Sequence, residues 1–389
     1  MSFLNSWLRG PTITAIHSWL ATFCKRRPVP SSSQQLSPLE GRSLPWQDTL
    51  SAIADLKKIE AEQTGGFTIR LALGNLYRAQ GDLDQAIATR SSLLHHADLS
   101  ADQQGRIYLE LGRDYKRAGL LDRAEEMFAQ ARKILGRDPA LLEEMAALAA
   151  AAKDHEQAAE LYAAIHKPTA QAHHIVQQAK ALARKNETER SAWLLRKALK
   201  VAPGSVEAWM ERMIQSYEAS DWMHLSHFFT QGLAAVDSRL RFLLMEGLTQ
   251  HMFTQRSPQE LFCPVVHPEA GQVLIQVIAA HPPDVHLLYY GAWIHTQLGN
   301  TSQAKMYLQR CCEINPEFWP ARLELLSLYA EEDAFSPACR EHLEYILQRG
   351  RQVKKFVCSK CGLKLDQIFF QCPRCRSWHS IAFLTSLDT

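Results

Sequence analysis

One-sided charge, strand periodicity and catalytic signatures are all scarce in this chain, and each absence narrows what it can be. The net charge is only +2 over 389 residues, which gives no global case for a nucleic-acid binder. Between about Trp46 and Gln348 no alternation of apolar and polar residues persists, so a sheet-based body is not expected. No His-Glu-x-x-His, Gly-rich phosphate loop or Gly-x-Ser-x-Gly elbow occurs. No set of acid, base and nucleophile stands out either, and the chain reads as a non-enzyme. A disulfide framework is missing too: of nine cysteines, five are scattered (Cys24, Cys263, Cys311, Cys312, Cys339). An odd remainder of this kind suits a reducing cytoplasm, with the scattered thiols acting as small buried apolar residues. At 46% apolar and 22% charged residues the chain can fold and stay soluble. Its length suits several units or a repeat array rather than one core.

The other four cysteines are tightly spaced: Cys358-Ser-Lys-Cys361, ten residues, then Cys372-Pro-Arg-Cys375. Each Cys-x-x-Cys pair spans a tight turn that aims both sulfurs at one ion, and a hairpin between the pairs would complete a tetrahedral site. Gly362 can supply the positive φ such a turn needs. Thiolate spacing does not choose between iron and zinc. Around the cysteines, Arg349, Arg351, Lys354, Lys355, Lys360, Lys364, Arg374 and Arg376 face only Asp366. A basic knuckle of this kind can meet an acidic partner, an anionic membrane surface or a nucleic-acid backbone. Nucleic acid is the least expected of these partners.

The N-terminus is apolar-leaning and ends in Lys25-Arg26-Arg27, but Asn5, Arg9, Pro11 and His17 interrupt it. A span needs about 20 apolar residues. Residues 1–27 therefore read as an amphipathic helix in the lipid interface, with the basic triplet on anionic headgroups, rather than as a clean crossing. Residues 28–45, rich in Pro and Ser, read as a flexible linker.

Residues 46–348 show internal repetition. Leu73-Gly74-Asn75-Leu76-Tyr77, with Gly81 and Ala86, recurs as Leu111-Gly112-Arg113-Asp114-Tyr115, with Gly119 and Ala124. The small residue then returns at steps of 34 at Ala158, Ala192 (Ser191 also fits) and Ser226, slips by ten to Ala270, and resumes at Ala304 and Ala338. This period, with Leu-Gly and Tyr in a first helix and a small residue in a second, resembles the tetratricopeptide repeat. The expected fold is all-α, a superhelix of helical hairpins whose concave groove takes an extended peptide or a helix. The pattern is clearest at 67–100, 105–138 and 285–318, weaker at 139–206 and 319–348, and faintest at 207–284. The prolines of residues 254–270 are expected to interrupt the array. His95-His96 and His173-His174 are neighbours on helices and cannot easily chelate one ion, so they are read as surface or groove residues. Trp209, Trp222, Trp293 and Trp319 are read as helix packing.

Taken together, LGNLYRAQGDLDQAI, LGRDYKRAGLLDRAEEMF and the terminal CSKCGLKLDQIFFQCPRCRSWHSI resemble the lipopolysaccharide assembly protein B family of Gram-negative bacteria. The resemblance covers roughly residues 66–389. It implies a cytoplasm-facing scaffold at the inner membrane, peripheral or single-pass. Such a scaffold helps the membrane protease FtsH degrade the deacetylase that commits precursors to lipid A. It also implies that residues 349–389 form a rubredoxin-like domain in which Cys358, Cys361, Cys372 and Cys375 hold one metal ion, usually iron, with zinc as the alternative. Family members usually begin with a clean transmembrane helix, from which residues 1–24 depart. Electron transfer through a redox-active iron is the rival role, and a second copy of the chain is a candidate partner.

Overall fold

The computed structural model describes residues 52–54, 56–57, 67–95, 99–254, 266–330 and 337–385. The N-terminal segment 1–27, the linker 28–45 and residues 255–265 of the interruption at 254–270 lie outside these residues, as do Cys24, Cys263 and the side chain of Cys339. Among the described residues no helix is long and apolar enough to cross a membrane. The chain forms two compact units, Met1–Asp82 and Leu83–Thr389. In the first, helix α1 (Phe67–Gln80) buries Leu73, Gly74 and Tyr77, the signature set of the first repeat.

The second unit is a run of helices: α2 (Leu83–Leu93), α3 (Ala101–Arg117), α4 (Leu121–Leu135), α5 (Pro139–Ala151), α6 (His155–Ala164), α7 (Pro168–Ala183) and α8 (Thr188–Val201). It continues through α9 (Val206–Glu218), α10 (Trp222–Ala235), α11 (Phe242–Thr254), α12 (Pro268–Ala280), α13 (Val285–Gln297), α14 (Thr301–Ile314), α15 (Trp319–Ala330) and α16 (Pro337–Arg351). Their starts carry side-chain caps that satisfy free amides: Ser100 with Gln103 in a capping box, and Asp138, Asp154, Ser205, Asp221 and Asp284. Consecutive pairs α3/α4, α5/α6, α7/α8, α9/α10, α13/α14 and α15/α16 pack as hairpins, and neighbouring hairpins pack on one another. Helix α11 packs on α9 and α13, while α12 packs on α10 and α13. The ten-residue slip in period therefore falls at the connection between α11 and α12.

The turns of five of these hairpins hold a left-handed residue. Gly119 and Gly299 supply it at φ 79° and 76°, as Gly81 does between α1 and α2 at φ 93°, but Lys153, Asn186 and Ser220 do so at φ 63°, 62° and 54°. Replacement of the glycine there is why the middle repeats are faint in sequence. The small-residue positions Ala86, Ala124, Ala158, Ala270 and Ala304 are fully buried where helices cross. Of the two residues that fit the period in α8, Ser191 rather than Ala192 is buried, with its hydroxyl donating to the Ala179 carbonyl at 2.8 Å. One expectation needs correction. In α10 the crossing is filled by Leu225 rather than Ser226. At Gly112 a Cβ would lie 2.4 Å from Cε1 of the fully buried Phe128 ring, so no side chain fits. Arg90 of α2 and Asp114 of α3 form a fully buried ion pair beside Glu110.

After α16 the chain forms a small sheet from β1 (Phe356–Cys358), β2 (Lys364–Leu365) and β3 (Ile381–Phe383), antiparallel in the order β2-β1-β3. The expected hairpin between the two cysteine pairs is corrected: β1 and β2 bracket the first pair, and β3 follows the second.

Candidate metal centre and its seat on the repeats

The strand β1 delivers Cys358, and the turn that follows brings back Cys361. The Gly362 amide donates to the Cys358 carbonyl at 2.9 Å, with Gly362 at φ 70° as expected. The second pair repeats this turn with a different residue. Arg376, at φ 56°, donates to the Cys372 carbonyl at 2.8 Å. The four sulfurs lie within 4.8 Å of one another, with Cys358–Cys375 and Cys361–Cys372 each at 3.7 Å. Four thiolates on one ion at about 2.3 Å would stand about 3.8 Å apart, so the cage has the size of a tetrahedral site. This cluster could hold a metal ion.

Its polar surroundings suit thiolates. Burial would raise the Cys358 thiol, but the Ser380 hydroxyl and the amides of Lys360 and Cys361 draw it down to about 5. The Ser377 hydroxyl and amide lower Cys375 in the same way. For Cys361 the Leu363 amide favours the thiolate, yet burial and the three other sulfurs push it up to about 12. Four thiols this close cannot all ionise without a cation among them, which is the charge requirement that a bound ion meets.

The knuckle does not stand at the end of the array. It lies along the row of first helices. Trp378 sits 4.9 Å, ring centre to ring centre, from His173 of α7, 6.2 Å from His174 and 6.3 Å from Tyr162 of α6. Beside it Glu207 of α9, only 1% exposed, accepts from His173 Nδ1 at 3.0 Å and lies 3.7 Å from Nε2 of the knuckle's own His379. Burial alone would raise the Glu207 carboxyl, but these two imidazoles hold it below the ordinary range. His174 shares a hydrogen bond of 3.3 Å with His155 and stacks on Tyr162. Burial, followed by the charges of His173 and His155, lowers its pKa to about 3. Arg376 faces Glu144 of α5, which Arg113 (3.0 Å) and Lys116 of α3 already hold. At the other end Phe356 and Phe383 pack on Phe242 of α11, and Phe383 also meets His286 of α13 and Phe318. Trp319 donates to the Leu384 carbonyl at 2.9 Å. The knuckle is thus seated along the array, with contacts that run from α5 to the start of α15.

His173 and His174 are groove residues, as expected, and they are the seat of the knuckle. His95 is exposed, and His96 lies outside the described residues. Trp209 is a packing residue whose indole donates to the Pro203 carbonyl at 2.9 Å. Sequence reasoning passed over Glu207, Tyr162 and His379, and counted Arg376 only among the basic residues of the knuckle. One signal was available for Glu207: a lone acid inside the apolar run Val206-Glu207-Ala208-Trp209-Met210 needs a buried partner.

A tetratricopeptide-repeat family model matches residues 292–318. The chain is 25% identical over 347 residues to lipopolysaccharide assembly protein B of Escherichia coli (strain K12), covering 84% of this chain and 83% of that one. To the protein of the same name from Haemophilus influenzae it is 22% identical over 344 residues, covering 83% and 80%. Among solved structures, a tetratricopeptide repeat protein from Parabacteroides merdae is similar at a TM-score of 0.37 and 14% identity, covering 72% of this chain and 98% of that one. The fold is an all-α tetratricopeptide array with a small four-cysteine knuckle, and the chain resembles lipopolysaccharide assembly protein B over most of its length.

Proposed function

We propose, from the likeness to lipopolysaccharide assembly protein B over 84% of the chain, that this protein regulates lipopolysaccharide biosynthesis as a non-catalytic adaptor. In this reading it works on the cytoplasmic side of the inner membrane, as a peripheral or single-pass protein, and presents the lipid A pathway deacetylase to the protease FtsH. Cys358, Cys361, Cys372 and Cys375 hold one ion, iron by resemblance or zinc. The ion acts as a crosslink that keeps the knuckle folded; a divalent ion on thiolates stabilises so small a domain by binding only its folded form. The observation that carries the reading is that the likeness covers 84% of the chain, beside a four-cysteine knuckle that is seated on the repeats through Trp378, His379 and Phe383. A repeat array supplies extended surface for proteins to dock on.

The test is crosslinking in native membranes followed by purification of the chain. The expected result is recovery of a membrane protease together with a lipid A biosynthetic deacetylase, and a longer deacetylase half-life in cells that lack the chain. Recovery of neither protein, with an unchanged half-life, overturns the reading. Zinc in place of iron should leave the deacetylase half-life unchanged, whereas an electron-transfer role would lose activity with a redox-inert ion.

A further inference from the structure

The face away from the knuckle carries a second feature. Helices α8, α9 and α10 frame an open groove of about 670 Å³, within the size range of specific binding pockets. Arg212 of α9 comes five positions after Glu207, about 140° around the helix, so it points away from the knuckle. Its guanidinium lies 3.7 Å from the centre of the Phe228 ring and 5.8 Å from that of Trp209. Stacked in this way, a guanidinium leaves the N–H groups at its edge free to donate. Arg196 of α8 lines the same groove.

The two arginines are uncompensated. Among the described residues no carboxylate lies within ion-pair distance of either. Burial and the Arg196 charge both push the Arg212 guanidinium below its ordinary value. Two acids also line the groove, and neither serves the arginines. Asp221 caps α10 and is held by His224 Nδ1 at 2.6 Å. Glu189 stands two helical turns before Arg196, about 10 Å along α8. Ala192, Ala219 and Met223, the last 75% exposed, give the groove an apolar side next to the arginines. The ligand that matches is one with a carboxylate beside an apolar group, presented on a narrow chain that can reach a half-buried guanidinium. A flat bilayer surface does not offer that shape.

We propose that this groove, framed by α8, α9 and α10, is a docking site for an acidic segment of a partner protein. The acidic side chain takes the Arg196–Arg212 pair, and a neighbouring apolar side chain rests against Met223 and Phe228. The inference rests on the adaptor reading only in that partners are proteins, and its test needs neither the protease nor the deacetylase.

The experiment is selection of a random-peptide phage library on the full-length, metal-loaded chain, followed by fluorescence anisotropy of the enriched peptides. Expected are peptides with Asp or Glu next to Leu, Met or Phe. Their affinity should fall by about tenfold or more in Arg196→Gln/Arg212→Gln, because a charge-assisted hydrogen-bond pair is lost. It should fall equally when the peptide's acid is replaced by its amide. Arg212→Lys keeps the charge but not the fork and should fall between the two. Thermal melting of each variant confirms that it is folded. Absence of enrichment, a consensus without acids, or unchanged binding to the glutamine variant overturns the proposal. So does binding through these arginines of inorganic phosphate alone or of phosphatidylglycerol vesicles alone.

Discussion

Lowering the pH should loosen the seat of the knuckle through one residue. His174 is 4% exposed, wedged between Tyr162 and Trp378, with His155 of α6 and His173 of its own helix nearby and Glu207 of α9 beyond. In the unfolded chain its imidazole takes a proton below pH 6.5; in the folded one it resists until about pH 3. The folded pKa is depressed, so stability is fully present above 6.5 and falls as the pH drops. At pH 5 the loss from this group is about 2 kcal/mol, and at pH 4 about 3. Glu207, Glu144 and Asp284 are also held low, but as carboxylates their contribution is lost only as the pH falls through the unfolded value, 4.5 for the glutamates and 3.8 for Asp284. They leave the window from pH 8 to 5 to histidines. His174→Phe keeps the ring on Tyr162 and removes the titration. Urea unfolding followed by helical circular dichroism at pH 8, 6 and 5 should show the wild type losing about 2 kcal/mol more than His174→Phe. Parallel pH dependence in the two proteins would refute the argument that burial keeps this imidazole neutral.

Four other outcomes follow from the fold. Asp114→Ala strands Arg90 in the core without its countercharge and should cost about 3–5 kcal/mol in unfolding experiments, whereas changes at the exposed Asp102–Arg106 pair should cost little. Gly112→Ala drives a methyl group into the Phe128 ring and should destabilise by about 1–3 kcal/mol by the same measurement, despite the better helix propensity of alanine. Lys153→Gly relieves a left-handed backbone and should raise stability by about 1 kcal/mol, read as a higher melting temperature. Cys372→Ser/Cys375→Ser should abolish metal binding, measured as one ion per wild-type chain by native mass spectrometry. It should also raise amide exchange in α7 around His173 while leaving overall helicity nearly unchanged.

The hairpin body was legible because its cues are local. Leu73, Gly74 and Tyr77 in α1 and Leu111 and Gly112 in α3 are among the buried residues of their helices, as their repetition implied. Where Lys153, Asn186 and Ser220 replace glycine in the turn, the backbone conformation persists but the letter that announces it does not. The choice between Ser191 and Ala192 was open for a related reason, since two small residues stand side by side and the period alone does not choose between them. The cysteine cage was equally readable, its spacing being set by one tight turn per pair. Its location was not. Trp378 meets Tyr162 and His173 across most of the chain, and no periodicity encodes a contact between elements so distant in sequence. Glu207 could have been flagged as an acid in an apolar run, but its partners, His173 and His379, emerge only from the fold.

The position of the knuckle also bears on the order in which the molecule is assembled. Contacts among the helices join close neighbours in the chain, a topology that folds quickly and from the N-terminal side as the polypeptide is synthesised. Residues 356–385, by contrast, leave the ribosome after every helix they pack on, and they fold back onto helices made long before. Until they emerge and fold, Tyr162, His173 and Glu207 lack the cover of Trp378 and His379. A nascent chain therefore presents a bare face that the folded protein has covered with its own knuckle, and quality-control factors that survey exposed apolar and charged surface would meet the two forms differently.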